Sequence, residues 1–228
     1  MIRVLVIDDS AVMRSFLARI VGAQDDMVLA GVVSVPLNAI SRIRQSAPDV
    51  ITLDVEMPGM NGLDFLGKLM AMRPIPVVMI SSVTQHGAEA TMRALELGAV
   101  DFFPKPAALE DMDAAAADIA DKIRAAAVAR VARRRIVPGA PPSEPVSTGA
   151  ARPTGKGAVI GIGGSTGAVE ALRVVLADLP ESMPPILVAQ HILPGFTGAF
   201  ARRLDSLCRL TVKEAQDGEE PLPGHVYI

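Results

Sequence analysis

Tryptophan is absent from this 228-residue chain, and all aromatics together make up only 3% of it. Single strands of nucleic acid are held largely by stacking bases on aromatic rings, so that class of function has no platform here. Positive charge is not in excess either. The formal net charge is -3, which leaves no bulk field with which to displace counterions from a duplex. Nothing in the C-terminal part resembles a helix-turn-helix. The single cysteine, Cys208, excludes an internal disulfide and fits a reducing, cytoplasmic setting. No run approaches the ~18 consecutive apolar residues of a membrane span, so no direct membrane insertion is expected. Asp8 and Asp9 arrive after only seven residues, which leaves no room for the apolar region of a secretory signal.

What the chain does have is short apolar runs that end in chemistry-bearing residues. Val4-Leu5-Val6-Ile7 runs into Asp8-Asp9, and Val50-Ile51-Thr52-Leu53 into Asp54. Val77-Val78-Met79-Ile80 ends in Ser81, and a further run is followed by Lys105-Pro106. A short run with no alternation reads as a strand buried on both faces of a parallel sheet. Ligands of such sheets bind beyond the carboxyl ends of the strands, where strand order reverses. The residues at the strand exits, not those inside the runs, are therefore the candidates for chemistry.

Strands are expected at 3–7, 28–33, 50–53, 77–80 and 100–103, alternating with helical-period segments at 12–21, 37–45, 63–72, 88–97 and 109–129. Five βα units of this kind make one doubly wound α/β domain over residues 1–129. Composition then shifts. Residues 130–157 carry Arg133-Arg134-Arg135 and a scatter of Pro and Gly, the signature of a semi-extended linker. The arginines read either as a basic contact patch or as a solvated helix end. A second, partial parallel α/β unit is expected over 158–228, with strands at 158–162 and 186–189, helices at 168–176 and 197–207, and strands at 211–214 and 225–228 around a turn at Gly218. So short a stretch has little core of its own, and the expectation is a domain cut short at its C-terminus.

Alone, an aspartate after a strand is a turn former or helix cap. The set is different. Three carboxylates gathered at neighbouring exits repel and raise one another's pKa values. A hard divalent cation such as Mg²⁺ removes that cost and stabilises an incoming phosphoryl group. Lys105 supplies a second positive charge for an acyl phosphate on Asp54, and Ser81 a hydroxyl donor to a phosphate oxygen.

Val4 through Ser10, Asp54 with Met57-Pro58-Gly59-Met60-Asn61-Gly62, and Lys105-Pro106 together resemble the receiver domain of two-component response regulators. The resemblance implies a five-stranded, flavodoxin-like fold in which Asp54 accepts a phosphoryl group from a histidine kinase. It also implies that Asp9, Asp54 and the backbone carbonyl of Glu56 ligate Mg²⁺ with Asp8 assisting, that Ser81 and Phe102 are the switch residues, and that Lys105 contacts the phosphate. A cis Lys105-Pro106 bond is expected, a geometry only an X-Pro bond allows cheaply.

A second constellation lies in Val159 to Gly167, where Ile160-Gly161-Ile162-Gly163-Gly164-Ser165-Thr166-Gly167 runs from strand to helix. A dinucleotide fingerprint fails because Thr166 stands where its last glycine belongs, and a Walker loop fails because Gly155-Lys156 is followed by Gly157. The remaining reading is a turn that exposes Ser165 near a helix start, where backbone N–H groups stabilise negative charge. A serine nucleophile needs an adjacent base, and His191 follows the next expected strand. Read singly, Ser165 is a helix cap and His191 a hydrogen-bonded surface histidine. His86 and His225 have no comparable context.

These segments, with Gln190-His191, Gly195-Phe196-Thr197, Ala201-Arg202-Arg203-Leu204-Asp205 and Gly224-His225-Val226-Tyr227-Ile228, resemble the chemotaxis protein-glutamate methylesterases. The resemblance implies a hydrolase, with Ser165 as nucleophile and His191 as its general base. Its substrates would be glutamyl methyl esters, and certain glutamines, of methyl-accepting chemoreceptors. The departures are Ala168, where the family commonly has glycine, and the family's orienting aspartate. That residue lies in a Gly-Asp-Gly segment not found in these residues, and neither Asp205 nor Asp217 matches it. Lacking such a partner an imidazole loses on the order of 10⁴ in rate in the serine-protease template. The expectation is a fragment of a phosphorylation-controlled esterase. The alternative is a receiver-only signalling or phosphate-sink protein with an inert C-terminal part.

Overall fold

A computed structural model of the chain describes residues 1–57, 60–82, 84–106, 109–129, 131, 158–192 and 195–228. The chain divides into two compact units, Met1–Arg133 and Arg134–Ile228. Apart from Val131, the expected linker lies outside the described residues, as do its arginines.

The first unit alternates strands and helices: β1 (Ile2–Ile7), α1 (Ala11–Gly22), β2 (Met27–Val33), α2 (Pro36–Ser46), β3 (Val50–Asp54), α3 (Gly62–Met72), β4 (Val77–Ser81), α4 (Gln85–Glu96), β5 (Asp101–Pro104) and α5 (Leu109–Val128). The sheet is parallel throughout, in the order β2-β1-β3-β4-β5. Strand order reverses at β1, so a crevice opens where β1 and β3 end. Val4 to Ile7 and Val77 to Ile80 are wholly buried, which is why those runs show no alternation. At the edge, β2 leaves Val28, Leu29 and Val32 exposed.

Helix α1 shows how pattern becomes packing. The Ser10 hydroxyl caps it by accepting from the Met13 N–H. Met13, Phe16, Leu17 and Ile20 then fall on one face at helical spacing. That face packs with Ile119, Ile123 and Ala126 of α5 over Val4, Val6, Val50, Val78 and Ile80. In α3 the Asn61 side chain accepts from the Leu63 N–H at 3.0 Å. A Cβ on Gly62 would stand 2.1 Å from the Asp54 carbonyl oxygen, whereas one on Gly67 would meet nothing nearer than 4.0 Å. Gly62→Ala is therefore expected to destabilise the fold by ~1–3 kcal/mol through overpacking. Gly67→Ala, in the same helix, should gain up to ~1 kcal/mol from propensity. Urea denaturation of both variants checks this, and equal midpoints would refute it.

The Lys105-Pro106 bond departs from expectation. No peptide bond among the described residues is cis. The trans form is intrinsically favoured by about 0.5–1 kcal/mol even before proline. With it, the Lys105 N–H still reaches the Ser81 carbonyl at 2.7 Å and its ammonium still reaches Asp54.

The second unit holds β6 (Ile160–Gly164), α6 (Ala168–Ala177), β7 (Ile186–Gln190), α7 (Thr197–Asp205), β8 (Thr211–Lys213) and β9 (His225–Tyr227). Its order is β6-β7-β9-β8, all parallel. The strands around Gly218 are neighbours but do not form a hairpin, because they run parallel, with β9 lying between β7 and β8. Val226 is paired with Ile186 on one side and Val212 on the other. Strand β6 begins and ends two residues later than the apolar pattern suggests. Pairing of Gly163 and Gly164 with Ala189 and Gln190 overrides the low strand propensity of glycine. Ile186, Val188, Leu172, Leu176, Phe200 and Val226 are buried, while Leu187, Val174 and Val175 are exposed.

Candidate functional site

The crevice of the first unit gathers Asp8, Asp9 and Asp54. One carboxylate oxygen from each lies within 4.8 Å of the others. Asp8 and Asp54 are fully buried, whereas Asp9 is exposed. Asp54 ends β3, where Oδ1 accepts from the Glu56 N–H at 3.1 Å and Oδ2 from Lys105 Nζ at 2.7 Å. Asp8 Oδ1 accepts from the Ser10 N–H at 2.8 Å, but its Oδ2 is buried with no hydrogen-bond partner.

Burial is the largest influence on Asp54. Together with the neighbouring Asp8 charge it outweighs the Lys105 and Glu56 hydrogen bonds, pushing the carboxyl up to about 6. Asp8 is also raised, first by burial. Burial alone would lower Lys105, but its hydrogen bond to Asp54 and the fields of the three aspartates raise it. The orphaned Asp8 oxygen and the all-oxygen donor set fit a hard divalent cation.

The remaining predicted residues sit around this cage. Ser81 is buried, and its hydroxyl donates to the Gly87 carbonyl of α4 at 3.1 Å rather than pointing at Asp54. Glu56 is exposed, and its carboxylate accepts from Ser82 Oγ at 3.2 Å. Phe102 is buried in β5, its N–H held at 2.7 Å by Asp101, which also pairs with Lys122. Sequence reasoning missed Arg14. Its Nη1 donates to the Asp8 and Asp9 carbonyls at 2.8 and 2.7 Å, pinning the loop that presents both acids. The available signal was its place in the first turn of α1, facing back over the loop.

The second unit brings Ser165 and His191 together at adjacent strand exits. Gly164 is in register with Gln190, and the His191 N–H donates to the Gly164 carbonyl at 2.9 Å. Ser165 Oγ lies 3.5 Å from His191 Nδ1, with both residues exposed. Ser165 is not the cap of α6. Gly167 holds that position at φ 78° with no side-chain capping bond, which frees the serine hydroxyl to face the imidazole. A 3.5 Å approach is at the long end of hydrogen bonding. Asp205 is engaged elsewhere, accepting from the Val212 N–H at 2.8 Å. Among the described residues no carboxylate hydrogen-bonds His191.

A cage of two buried carboxylates and one exposed, faced by a lysine at the switch point of a 2-1-3-4-5 parallel sheet, defines a receiver domain of the response-regulator class. Comparison with known proteins agrees and goes further. The response regulator receiver domain family matches residues 4–117, half of the chain, and the CheB methylesterase family matches residues 160–228. All of the chain aligns with the protein-glutamate methylesterase/protein-glutamine glutaminase 3 of Burkholderia lata at 51% identity, covering 64% of that protein. The protein-glutamate methylesterase/protein-glutamine glutaminase of Salmonella typhimurium is 50% identical, again over the whole chain and 64% of the relative. The crystal structure of the response regulator domain of Thermotoga maritima CheB superposes with a TM-score of 0.53 at 42% identity, covering 57% of this chain and 98% of that one. The chain belongs to the response regulators that carry a receiver domain, and its residues 160–228 match the CheB methylesterase family. It spans 64% of the length of those two relatives.

Proposed function

We propose that the chain is the receiver and the nucleophile-bearing part of a phosphorylation-activated hydrolase that removes methyl groups from glutamyl methyl esters of chemoreceptors and deamidates receptor glutamines. In this reading residues 1–129 are the input, 130–157 the connection and 158–228 the esterase portion, working in the cytoplasm. The observation that carries it is the approach of Ser165 Oγ to His191 Nδ1 in a chain whose other unit carries an opposed lysine–carboxylate pair.

At the input, Asp54 attacks the phosphorus of a kinase phosphohistidine, forming a P–O bond as the P–N bond breaks. Asp8, Asp9, Asp54 and the Glu56 carbonyl would hold Mg²⁺, which when bound supplies charge neutralisation to the phosphoryl oxygens. Lys105, already on Asp54 Oδ2, turns its ammonium to the new phosphate. Ser81 leaves Gly87 to donate to it, with Phe102 following as the partner switch. At the output, His191 takes the Ser165 proton as Oγ adds to the ester carbonyl. The tetrahedral intermediate expels methanol with that proton returned, and water then repeats the sequence to free the carboxylate.

The test is methanol release from methylated receptor membranes by the gene product, with and without a phosphodonor. Stimulated release that Ser165→Ala abolishes is the expected result. Phosphorylation without any Ser165-dependent release would favour the phosphate-sink alternative.

Metal binding has its own signature. Without Mg²⁺ the folded pKa of Asp54, about 6, exceeds the unfolded 3.8. The folded state then binds more protons between those values, and stability falls as pH rises through them. Relative to Asp54→Asn, the metal-free protein is expected to lose roughly 1–3 kcal/mol between pH 4 and pH 7. With excess Mg²⁺ the sign reverses, because ligation favours the ionised form. Urea melts across this range check it, and a pH slope indifferent to Mg²⁺ would overturn it.

A further inference from the structure

We propose that Gln190 is a positioning residue for the esterase site, acting on the peptide bond that follows the nucleophile. The inference rests on the esterase reading of Ser165 and His191.

Gln190 ends β7 opposite Gly164, one residue before the base. Its Nε2 donates to the Ser165 carbonyl at 3.0 Å. That carbonyl also accepts from the Ala168 N–H at 3.0 Å, so both of its lone pairs are engaged. The orientation of the amide follows, since reversing it would set two acceptors against each other. The other end of the side chain is buried at a cost. Oε1 has no hydrogen-bond partner, and it stands 2.6 Å from where a Cβ on Gly164 would lie. An unsatisfied buried acceptor is unfavourable. An apolar side chain of the same length would fill this space without that cost but could not donate to Ser165.

The geometry shows what the donation does. Packing around the turn is sparse: Ser165 and Gly167 are exposed, and a Cβ on Gly167 would meet nothing within 4 Å. The turn is therefore held chiefly by hydrogen bonds. In a trans peptide the carbonyl and the next N–H point in opposite directions. Fixing the Ser165 carbonyl toward Gln190 and Ala168 thus fixes the Thr166 N–H on the far side, where it makes no hydrogen bond among the described residues. In a strand–turn–helix nucleophile site, the N–H after the nucleophile is a donor to the developing oxyanion. Gln190 and His191, consecutive in sequence, would then govern two different parts of Ser165. His191 faces the hydroxyl, and Gln190 sets the peptide plane that aims the oxyanion donor.

Misaiming an oxyanion donor weakens the transition state more than the bound substrate. Gln190→Met keeps the length and removes the donor. Gln190→Glu keeps the shape and, once ionised, turns a donor into a repelling acceptor. In the gene product each is expected to lower kcat for ester hydrolysis about 10- to 100-fold with KM within about 2-fold of wild type. The Glu variant's deficit relative to wild type should narrow as pH falls and its carboxyl protonates, a trend a purely structural role would not give. Wild-type kcat in Gln190→Met, or an unchanged kcat with a raised KM, would overturn the proposal. Should the Met variant fail to fold, the pH dependence of the Glu variant decides, and a pH-independent deficit counts against the proposal. Release that survives Ser165→Ala would overturn the esterase reading as well. A Ser165-dependent reaction indifferent to Gln190 would overturn this proposal alone.

Discussion

Replacing Asp54 with asparagine is expected to reduce covalent phosphorylation by acetyl phosphate at least about 100-fold, the loss that follows when a reaction's nucleophile is deleted. The reaction forms a bond from a carboxylate oxygen to phosphorus and breaks the bond from phosphorus to the acetyl oxygen, releasing acetate. An amide in the same place is a poor nucleophile and would yield a cationic adduct. Position is as important as charge. Oδ1 is tied to the Glu56 N–H and Oδ2 to Lys105, so the attacking group is already aimed out of β3 into the crevice. Lys105→Met should cost less, about 10- to 100-fold, because it removes charge stabilisation but leaves the nucleophile. Intact-mass measurement after incubation with the donor separates these outcomes. An Asp54→Asn protein that still gains a phosphoryl group would place the acceptor elsewhere, with exposed Asp9 the first position to examine.

The site logic was legible because both units use the same rule. In a parallel sheet the interior of each strand is consumed by packing, and side chains become free only where the strand stops. Reading the ends of the apolar runs therefore made Asp8, Asp54, Ser81, Lys105, Ser165 and His191 the candidates, and each stands at or just past the end of a strand. The expected starts of α1 and α3 fall within one residue of the observed ones, where Ser10 and Asn61 cap the helices. What was not legible depends on contacts between segments distant in sequence. The insertion of β9 between β7 and β8 is a choice of partner that no local pattern encodes. The role of Arg14 depends on where its guanidinium folds back. Gln190 fell just past the strand expected at 186–189, beside His191, and only its bond to Ser165 gives it a contact of its own in the site. Ser81 shows the same limit in another way. Its place at a strand exit was readable, but its engagement with Gly87 is a property of how α4 seats against β4. That seating is close because a Cβ on Gly87 would meet the Ser82 carbonyl oxygen at 2.2 Å.

Ser165 and His191 should behave as one unit when each is removed. Ser165→Ala and His191→Ala are each expected to lower ester hydrolysis by about 10⁴- to 10⁶-fold, and the double variant to be no worse than the more damaging single change. The hydroxyl is a weak nucleophile at its own pKa and gains reactivity only as its proton passes to the imidazole. Either deletion therefore removes the same step. The 3.5 Å separation of Oγ and Nδ1 requires only a small closure to become a hydrogen bond. Such closure is ordinary when substrate displaces water from exposed side chains. What remains in every variant should be a similar residual rate, owed to substrate binding and to backbone donors such as the Thr166 N–H, which neither substitution touches. Methanol release by wild type, both single variants and the double variant at one pH closes the cycle. Losses that multiply in the double variant would mean the two side chains act independently and would remove His191 from the role of base. Equal losses, not compounded in the double variant, would show that the two side chains carry one shared step.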